Sequence, residues 1–391
     1  MVKQGYTQSE VGVIPEDWDI KILKKVAPLQ RGFDLPYSQM KDGSYPVVFS
    51  NGVGAYHAQY MVKGPGVVTG RSGTIGKVHY VDENYWPHNT SLWVTNFCGN
   101  YPKYIYYLFN TINWELYNSG SGVPTLNRND IHDLKCVIPS IEEQKRIAEA
   151  LSDVDSMISS LEKLIVKKKA VKQGAMQELL TGKKRLPGFT GEWGKYTVGK
   201  MGEFYSGLTG KSKKDFDCGN ARYITFLNVL SNIKIDTSVL AAVDVKENES
   251  QNAVKKGDLF FNTSSETPEE VGMCAVLDED LDNTFLNSFC FGFRLNDKTH
   301  NPLFLSYYLN SAIGRKIMSV LAQGATRYNL SKNNFAETVI QLPGKEEQNA
   351  IASILSDMDN EIEALDQKLE KTRQIKQGMM QQLLTGKIRL V

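Results

Sequence analysis

A long stretch that occurs twice constrains this chain more than any other feature of its sequence. The first copy follows Pro139, begins with Glu142-Glu143-Gln144 and ends with Leu179-Leu180-Thr181-Gly182-Lys183. The second copy follows Pro343 and returns the same motifs at a constant offset of 204 positions. A chain of 391 residues is therefore built as two tandem halves, and an account of its function must explain why there are two.

Both copies carry apolar residues at alternating steps of four and three, which is the pattern of a coiled-coil seam. The predicted seam positions are Ile147, Leu151, Val154, Ile158, Leu161 and Ile165 in the first copy, and Ile351, Leu355, Met358, Ile362, Leu365 and Leu369 in the second. Pro139 and Pro343 precede the two starts, and Gly182 and Gly386 stand where the C-cap glycine of a helix belongs.

These signals predict two helices of about 40 residues, each roughly 60 Å long. A narrow apolar stripe buries too little surface to hold such a helix by itself, so we expect the two copies to pack on each other. The alternative is two separate surface helices, each lying on its own domain. The charged flanks of the stripe favour pairing.

The bulk composition excludes several classes of protein. Hydrophobic residues make up 41% and charged residues 23%, which is ordinary for a soluble globular chain. No apolar run approaches the length of a membrane span, and Met1-Val2-Lys3-Gln4 opens no signal peptide. The formal net charge is only +1, so charge alone gives no indication of nucleic-acid binding.

The five cysteines suggest a reducing compartment. They form no C-x-x-C pair and are odd in number, which predicts a cytoplasmic chain with cysteines as small core residues. These residues are Cys98, Cys136, Cys218, Cys274 and Cys290.

A globular sequence precedes each long helix, and the two share landmarks although their sequences diverge. Each has a tryptophan near its start, at Trp18 and Trp193, followed by short runs rich in Val, Tyr, Phe and Gly that predict strands. Each then has an aromatic, helix-like stretch and a glycine loop that leads to Leu126 or Leu330, again 204 positions apart. The order is globular domain, long helix, globular domain, long helix, with domains of mixed α/β character.

The run from Gly70 to Lys77 is similar to a phosphate-binding loop but lacks two of its residues. Such a loop ending at Gly76-Lys77 needs glycine at position 71 and Ser or Thr at position 78, where the chain has Arg71 and Val78. The run is either a glycine-rich turn or a surface loop that meets a phosphate backbone. In the second case the contacts come from Arg71, Ser72, Thr74 and Lys77.

Other motifs point away from catalysis. Asn301-Pro302-Leu303-Phe304 is similar to the Asn-Pro-Pro-Phe loop of amino-methyltransferases, but Leu303 replaces a proline and no glycine-rich cofactor fingerprint occurs elsewhere. The five histidines show no metal-ligand spacing. Lys167-Lys168-Lys169 fits a solvated helix face, whereas Lys211-Ser212-Lys213-Lys214 lies in a Gly/Ser-rich loop and is a better phosphate candidate. We predict no catalytic residue and no metal site.

Several of these motifs together resemble the specificity (S) subunit of a type I restriction–modification system. They are the Gly12-x-Ile14-Pro15-x-x-Trp18 opening, the Gly70 to Lys77 run, the Gly120 to Leu126 loop and the two Glu-Glu-Gln to Leu-Leu-Thr-Gly-Lys helices. The resemblance covers essentially the whole chain. It implies an α/β plus coiled-coil fold, in which two mixed α/β target recognition domains are joined by two long antiparallel helices as a pseudo-two-fold tandem repeat.

The domain boundaries implied in this way are 1–139 for the first target recognition domain, 140–185 for the first spacer helix, 186–342 for the second target recognition domain and 343–391 for the second spacer helix. Each target recognition domain would read one half of a bipartite DNA site. The candidate DNA-binding residues are Arg71, Ser72, Thr74, Lys77 and Thr125 in the first domain, and Lys211, Lys213, Lys214, Asn262, Thr263, Arg327 and Tyr328 in the second. The second domain has Asn262-Thr263-Ser264-Ser265 in place of the glycine-rich run.

The resemblance also implies a non-catalytic subunit with no cofactor of its own. Its partners would be double-stranded DNA, two modification (methyltransferase) subunits that bind S-adenosylmethionine, and restriction (nuclease–translocase) subunits that use ATP and magnesium. No membrane partner is implied. Two alternatives remain at this point: a coiled-coil scaffold that binds only proteins, and a specificity chain that serves a methyltransferase without a nuclease.

Overall fold

The computed structural model describes residues 4–390, which divide into two compact units. Unit 1 contains the chain up to Lys163 together with the segment from Asp366 onward, and unit 2 contains Leu164–Leu365. Both boundaries fall inside the long helices. Each unit therefore contains one globular part and a portion of both long helices.

The strands of unit 1 are short and mostly antiparallel. They are β1 (Tyr6–Ser9), β2 (Gly12–Pro15), β3 (Asp19–Ile22), β4 (Leu29–Arg31), β5 (Tyr45–Phe49), β6 (Gly52–His57), β7 (Gly66–Gly70), β8 (Val78–Val81), β9 (Trp86–Pro87), β10 (Ser91–Val94) and β11 (Lys135–Ile138). The α-helices that begin in this unit are α1 (Leu23–Val26), α2 (Pro102–Phe109), α3 (Arg128–His132) and the long helix α4 (Ile141–Leu179). Short 3-10 helices occur at Tyr37–Gln39 and Trp114–Tyr117.

Unit 2 repeats most of these elements and adds others. Its strands are β12 (Gly194–Thr197), β13 (Gly202–Ser206), β14 (Phe216–Ile224), β15 (Ala241–Val243), β16 (Leu259–Asn262), β17 (Ser264–Ser265), β18 (Cys274–Val276), β19 (Thr284–Leu286), β20 (Cys290–Leu295), β21 (Ala322–Gln323), β22 (Tyr328–Leu330) and β23 (Val339–Leu342). Its helices are α5 (Val198–Met201), α6 (Phe226–Ser231), α7 (Pro302–Asn310), α8 (Ala312–Leu321), α9 (Lys332–Ala336) and the long helix α10 (Lys345–Leu383). Short 3-10 helices occur at Lys213–Asp215, Thr237–Val239 and Pro268–Glu270.

The sheets of the two units have the same strand order. In unit 1 a four-stranded sheet runs β4-β10-β7-β8, and in unit 2 the order is β13-β20-β16-β18. A three-stranded sheet with one parallel pair follows in each, β6-β5-β9 and β15-β14-β19. The last strand of each globular part pairs with a strand near its start, β11 with β3 and β23 with β12. The predicted tandem repeat of two mixed α/β parts is confirmed.

Each globular core continues into the long helices. In unit 1, Ile147 and Leu151 of α4 and Met380 of α10 belong to the same buried cluster as Trp18 and Tyr104. In unit 2, Ile351 and Leu355 of α10 are buried with Leu180, next to the end of α4, and with Phe304 of α7. All of the predicted seam residues, from Ile147 to Ile165 and from Ile351 to Leu369, are buried or half-buried.

Ion pairs show that the long helices run antiparallel in each unit. In unit 1, Asp155 pairs with Lys376 and Glu162 with Arg373, so positions that ascend in α4 meet positions that descend in α10. In unit 2, Lys168 pairs with Glu361 and Lys172 with Asp359 in the same reversed order. The prediction that the two copies pack on each other is confirmed.

Both long helices have 39 residues and end slightly before the predicted glycines. Gly182 and Gly386 follow the last helical residues by three positions and have φ values of 69° and 71°. This left-handed backbone is strained for residues with a Cβ atom, which explains why each helix is followed by a glycine.

The prediction that the cysteines are core residues is correct for three of the five. Cys136, Cys274 and Cys290 are buried, whereas Cys98 and Cys218 are exposed free thiols. Cys98 has a positive φ and lies outside the strands, whereas Cys218 lies in the part of β14 where the pairing with β15 is irregular, next to the positive-φ residue Asp217. Within residues 4–390, no helix combines the length and apolar character needed to cross a membrane.

Candidate nucleic-acid interface

The glycine-rich run of unit 1 forms the turn between β7 and β8. The backbone N–H groups of Arg71 and Ser72 donate to the carbonyl of Thr90, at 2.8 and 3.0 Å. A Cβ atom on Gly70 would lie 1.8 Å from the carbonyl oxygen of Thr74, so only glycine fits where the run leaves the strand. The run is thus a glycine-rich turn, one of the two structures that the sequence allowed, and its contact with phosphate stays a prediction.

A second predicted loop lies directly against this turn. Leu126 N–H donates to the carbonyl of Arg71 at 2.8 Å, and Gly73 N–H donates to the carbonyl of Pro124 at 3.0 Å. Ser72 and Thr125 pair as an isolated β-bridge. Two motifs that are more than 40 positions apart in the sequence therefore form one surface.

An open cleft of about 540 Å³ adjoins this surface and carries three arginines. Arg71 on the turn, Arg31 at the end of β4 and Arg128 at the start of α3 line it together with Asp34 and Thr125. The guanidinium of Arg71 donates one bond, to the carbonyl of Asn89 at 3.2 Å, and so keeps donors that can reach a phosphate oxygen. Sequence reasoning missed Arg31 and Arg128, because neither stands in a motif.

Asp34 keeps the cleft from being purely basic. Its carboxylate accepts hydrogen bonds from the side chain of Asn89 and from both terminal nitrogens of Arg31, at 3.2 and 2.7 Å for the arginine. The Asn89 amide and then the Arg31 guanidinium hold the pKa of Asp34 below its usual value. Arg31 is thereby oriented at the mouth of the cleft by a charged partner.

Unit 2 repeats the backbone pairing with different side chains. Leu330 N–H donates to the carbonyl of Thr263 at 2.9 Å, as Leu126 does to Arg71. Strand β17 pairs with β22, which aligns Ser264 with Asn329 and Ser265 with Tyr328. Thr263 therefore takes the place of Arg71, and its hydroxyl donates to the carbonyl of Phe289 at 2.7 Å, so a cation of unit 1 is replaced by a neutral side chain in unit 2.

A cleft of about 670 Å³ adjoins this pairing in unit 2. Its lining includes Ser264, Ser265, Arg327, Phe226 and Glu270. Arg327 is exposed, and it is the cationic residue among those that line this cleft. Both clefts adjoin the loop pairing, but different elements line them: the end of β4 and the start of α3 in unit 1, and α6 with the residues around β17 in unit 2.

Two sequence-predicted DNA contacts in unit 2 are wrong. Asn262 has no exposed surface, and its amide group donates to the carbonyls of Ser264 and Glu270 and accepts from the N–H of Met273. Only 4% of the Lys211 side chain is exposed, because its ammonium group pairs with Glu249. Both residues have their polar atoms committed within the fold, so neither is free to bind phosphate.

The remaining candidates are accessible to different degrees. Lys77, Lys213, Lys214 and Arg327 are exposed, whereas Arg71, Ser72, Thr74, Thr125, Thr263 and Tyr328 are half-buried. Lys213 and Lys214 lie on a 3-10 helix held by a capping box between Ser212 and Asp215. This 3-10 helix leads into β14 of the three-stranded sheet, so the structure does not group these lysines with Arg327 and Tyr328 on the β17–β22 surface.

The Glu-Glu-Gln motif has a structural role that the sequence did not reveal. Glu143 is 2% exposed and accepts from Trp18 Nε1 at 3.0 Å and from Arg389 Nε at 2.7 Å. Gln144 donates to the carbonyl of Pro139 and accepts from the N–H of Tyr101, which is the N-cap residue of α2. The motif therefore joins the start of α4 to the globular core and to the tail that follows α10.

Unit 2 repeats this arrangement. Glu347 accepts from Nε and a terminal nitrogen of Arg185, both at 2.6 Å, and Gln348 accepts from the N–H of Asn301. The hydrogen bond to Glu347 raises the pKa of Arg185, which keeps the guanidinium charged. One difference is that the Nε1 atom of Trp193 has no hydrogen-bond partner in the described part of the chain, whereas that of Trp18 does.

The histidines occupy separate positions and no cluster of metal ligands is found among residues 4–390. His132 Nε2 accepts from the N–H of Leu29, and His57 contacts the backbone of Lys41. Residues of the candidate interface are mainly Arg, Lys, Ser and Thr, which bind phosphate oxygens and base edges. The arrangement is chemically suited to contacting nucleic acid.

Comparison with known proteins also indicates an interface for nucleic acid. A family model described as the type I restriction modification DNA specificity domain matches the chain twice, over residues 15–171 and 190–374. The MjaVIII specificity subunit of a type I restriction enzyme from Methanocaldococcus jannaschii is 28% identical over 289 residues, which are 69% of this chain and 66% of that protein. The match thus spans somewhat less than two thirds of the relative's length.

Two solved structures share the fold. A type I restriction–modification S subunit from M. genitalium superposes with a TM-score of 0.63 at 15% identity, covering 94% of this chain and 96% of that chain. A chain from a study of complex assembly and conformational transition of the type I R-M system has a TM-score of 0.58 at 15% identity, covering 96% and 99%. At this identity the likeness concerns the fold alone.

Proposed function

The chain belongs to the type I restriction–modification DNA specificity family, and from this premise we propose that it reads a bipartite DNA site for a multisubunit methyltransferase and endonuclease. The observation that carries the proposal is the recurrence of one sheet order and one loop pairing in two units whose loop side chains differ. Two copies of a scaffold with different surfaces suit a protein that reads two different half-sites.

The two candidate surfaces contain groups for both kinds of DNA contact. Arginines and lysines such as Arg71, Arg128 and Arg327 fit phosphate oxygens, which fix the register of a protein on the duplex. The hydroxyl groups of Thr125 and Thr263 donate to the carbonyls of Val123 and Phe289, so their oxygens are left to accept from donor groups on base edges, where sequence is read. The cleft of unit 1 carries three arginines, so we expect unit 1 to bind phosphate more strongly than unit 2 does.

We propose further that the chain is not itself an enzyme. In unit 1 the cleft is lined by arginines, and its carboxylate, Asp34, is paired with Arg31 and so is poorly placed to act as a base. Burial raises the pKa of the Cys136 and Cys290 thiols to about 12 and also raises that of Cys274, so these thiols stay protonated and are poor nucleophiles. Methyl transfer from S-adenosylmethionine and ATP- and magnesium-dependent cleavage would then belong to modification and restriction subunits.

The near-zero net charge supports DNA binding that is shared with the modification subunits. A formal charge of +1 over 391 residues gives the chain little long-range attraction to DNA, so its binding depends on the local cations of the two surfaces. We therefore expect stable binding only in a complex with modification subunits. The cytoplasmic location that such a complex requires stays a prediction.

The test combines assembly with footprinting. The chain is purified with and without modification subunits, and protected DNA and methylated adenines or cytosines are mapped on a genomic library. We expect one motif with two specific half-sites for the complex, and no methyl transfer by the chain alone. Turnover by the isolated chain that persists through further purification contradicts the non-catalytic assignment.

The same near-neutral charge favours one competing function, a scaffold that binds only proteins. A scaffold would assemble with modification subunits but leave DNA protection without sequence preference. The footprint therefore separates the two functions. Whether a nuclease subunit accompanies the methyltransferase is tested by adding ATP and unmethylated DNA to the complete set of subunits.

A further inference from the structure

A buried tyrosine in each unit reaches a carboxylate on a long helix. Tyr107 on α2 is fully buried, and its hydroxyl donates to Asp155 Oδ2 on α4 at 2.8 Å. Tyr307 on α7 is 1% exposed, and its hydroxyl donates to Asp359 Oδ2 on α10 at 2.6 Å. Asp155 and Asp359 are 204 positions apart, so the repeat has preserved the contact in both halves.

The same carboxylates also bind a lysine of the opposite long helix. Lys376 Nζ on α10 lies 2.6 Å from Asp155 Oδ1, and Lys172 on α4 pairs with Asp359. The two ammonium groups lie 5.8 and 5.6 Å from the ring centres of Tyr107 and Tyr307. We call each set of three side chains a Tyr–Asp–Lys bridge. Each bridge joins a helix of the globular part to both long helices.

The bridges differ in kind from the other contacts between globular parts and long helices. Apolar packing of Ile147 and Leu151, or of Ile351 and Leu355, is non-directional, so it resists separation more than it resists a small rotation. A hydroxyl–carboxylate bond and an ammonium–carboxylate pair on one carboxyl group are charge-assisted and directional. They hold the globular helix at one angle on the helix pair.

We propose that the two Tyr–Asp–Lys bridges fix the angle of each reading domain on the long helices and thereby make the complex selective for one spacer length between the half-sites. This inference rests on the proposed function. A DNA site with a wrong spacer can be read at both halves only if a domain turns on the helices, and that turn breaks a bridge. The bridge therefore opposes wrong spacers and has no effect on the correct one. The tyrosines act as positioning residues and do not contact bases.

The test uses Tyr107→Phe and Tyr307→Phe, which remove one hydroxyl each. Matched controls are Tyr104→Phe and Tyr308→Phe on the same two helices, because Tyr104 donates to the carbonyl of Val137 and Tyr308 bonds to the backbone of Gln341 within the globular parts. Each variant is assembled with modification subunits. Initial methylation rates are measured on duplexes with the natural spacer and with spacers one base pair longer or shorter.

We expect the natural duplex to be methylated at the wild-type rate by every variant. The ratio of natural to altered-spacer rates should fall about tenfold for Tyr107→Phe and for Tyr307→Phe, since a hydrogen bond to a charged group is worth about a decade in an equilibrium constant. The control variants should keep the wild-type ratio. Preference for the bases within each half-site should stay unchanged in all four, which separates repositioning from general loosening.

An unchanged ratio in the bridge variants overturns the proposal, and so does an equal fall in the controls or in half-site base preference. If the tyrosine variants fail to assemble, Lys172→Gln and Lys376→Gln test the other arm of each bridge with the same readout and the same criteria. Failure of those variants to assemble as well overturns the proposal, because the bridges would then serve assembly. A wild-type complex that methylates no bipartite motif refutes the proposed function instead.

Discussion

At the residue scale, the repeated Glu-Glu-Gln motif contains one acid that is almost fully buried, Glu143 in the first copy and Glu347 in the second. Each carboxylate meets a guanidinium from the tail of the other long helix, Arg389 for Glu143 and Arg185 for Glu347. A buried charge of this kind is stable only while it is paired. The two tails are thereby held against the starts of the two helices by equivalent ion pairs.

Removing the arginine partner should destabilise unit 1 strongly. Arg389→Ala leaves the Glu143 carboxylate with Trp18 Nε1 as its remaining side-chain donor. We expect the free energy of unfolding to fall by roughly 3 kcal/mol, the usual cost of breaking a buried ion pair. Urea denaturation measures this, with Lys184→Ala as the control, since Lys184 is exposed and lies 3.4 Å from Glu178. Equal midpoints for both variants would contradict the role given to Arg389.

Because several histidines are partly buried, we expect the folded chain to lose stability on mild acidification. Desolvation lowers the pKa of His79, His88, His132 and His300 in the folded chain. The unfolded chain then binds more protons than the folded chain as the pH falls through about 6.5, the ordinary histidine value. Stability is therefore fully present above that pH and declines below it.

Thermal melts at pH 7.5 and pH 5.5 measure the decline, and His300→Asn isolates one contribution. Asn100 stands in unit 1 where His300 stands in unit 2, since both side chains bond the glutamine of the repeated motif. We expect this variant to fold at pH 7.5 and to lose less stability at pH 5.5 than the wild-type chain. A pH dependence identical to wild type would show that His300 does not titrate in this range.

At the scale of single elements, the long helices were predictable because their signal is local. The apolar steps of four and three, the prolines before and the glycines after are all contained in the sequence of each helix. The order of the strands was not predictable, because β10 pairs with both β4 and β7 through contacts that no local pattern encodes. Short glycine-bounded runs predict strands without giving their partners.

The candidate site was predictable to the same limited extent. Gly70 to Lys77 and Thr125 stood out as loops, and the structure brings them together. Asn262 and Lys211 were misassigned, because a polar residue at the end of a strand or in a loop is equally able to turn inward and satisfy the backbone. Which way it turns depends on partners outside the motif, the Glu270 carbonyl for Asn262 and the Glu249 carboxylate for Lys211.

A charge placed in the helix seam should disrupt folding. Leu151 and Leu355 have no exposed surface, so Leu151→Lys or Leu355→Lys buries an unpaired ammonium group. We expect a loss of roughly 3 kcal/mol or more of stability, together with loss of complex assembly. Val166→Lys on α4 is the control, because 69% of Val166 is exposed. Retained stability and assembly in either leucine variant would show that the seam is misassigned.

Substitutions in the interface loops should change the salt dependence of DNA binding. Replacing Arg71, Lys77, Lys213, Lys214 or Arg327 by alanine should lower the slope of log affinity against log salt by about one unit in the assembled complex. Base preference should stay the same. Lys211→Ala is the matched control beside Lys213, since Lys211 is paired with Glu249 and should leave the slope unchanged. An unchanged slope for all five candidates would remove these loops from the DNA interface.

At the scale of the whole molecule, duplication separates two tasks. Helices α4 and α10 agree closely in sequence, whereas the globular parts share topology and differ in their loops. The same helices and ion pairs recur in both units, so the architecture is common to the two halves. The loops carry what is specific to each half. We therefore expect helix length and half-site sequence to be independently changeable.

The most direct test of this separation lengthens both long helices inside their helical range. Duplicating Ser159-Ser160-Leu161-Glu162 in α4 and the corresponding Glu363-Ala364-Leu365-Asp366 in α10 alters no residue of either globular part. Four helical residues add about 6 Å and a rotation of about 40° beyond a full turn. This corresponds to about one or two base pairs at about 3.4 Å each.

The measurement is the methylated motif in the genome of a strain that carries the lengthened chain with its modification subunits, compared with a strain that carries the original chain. The account predicts the same bases in both half-sites, separated by a spacer longer by about one or two base pairs. Altered half-site bases with an unchanged spacer would contradict it.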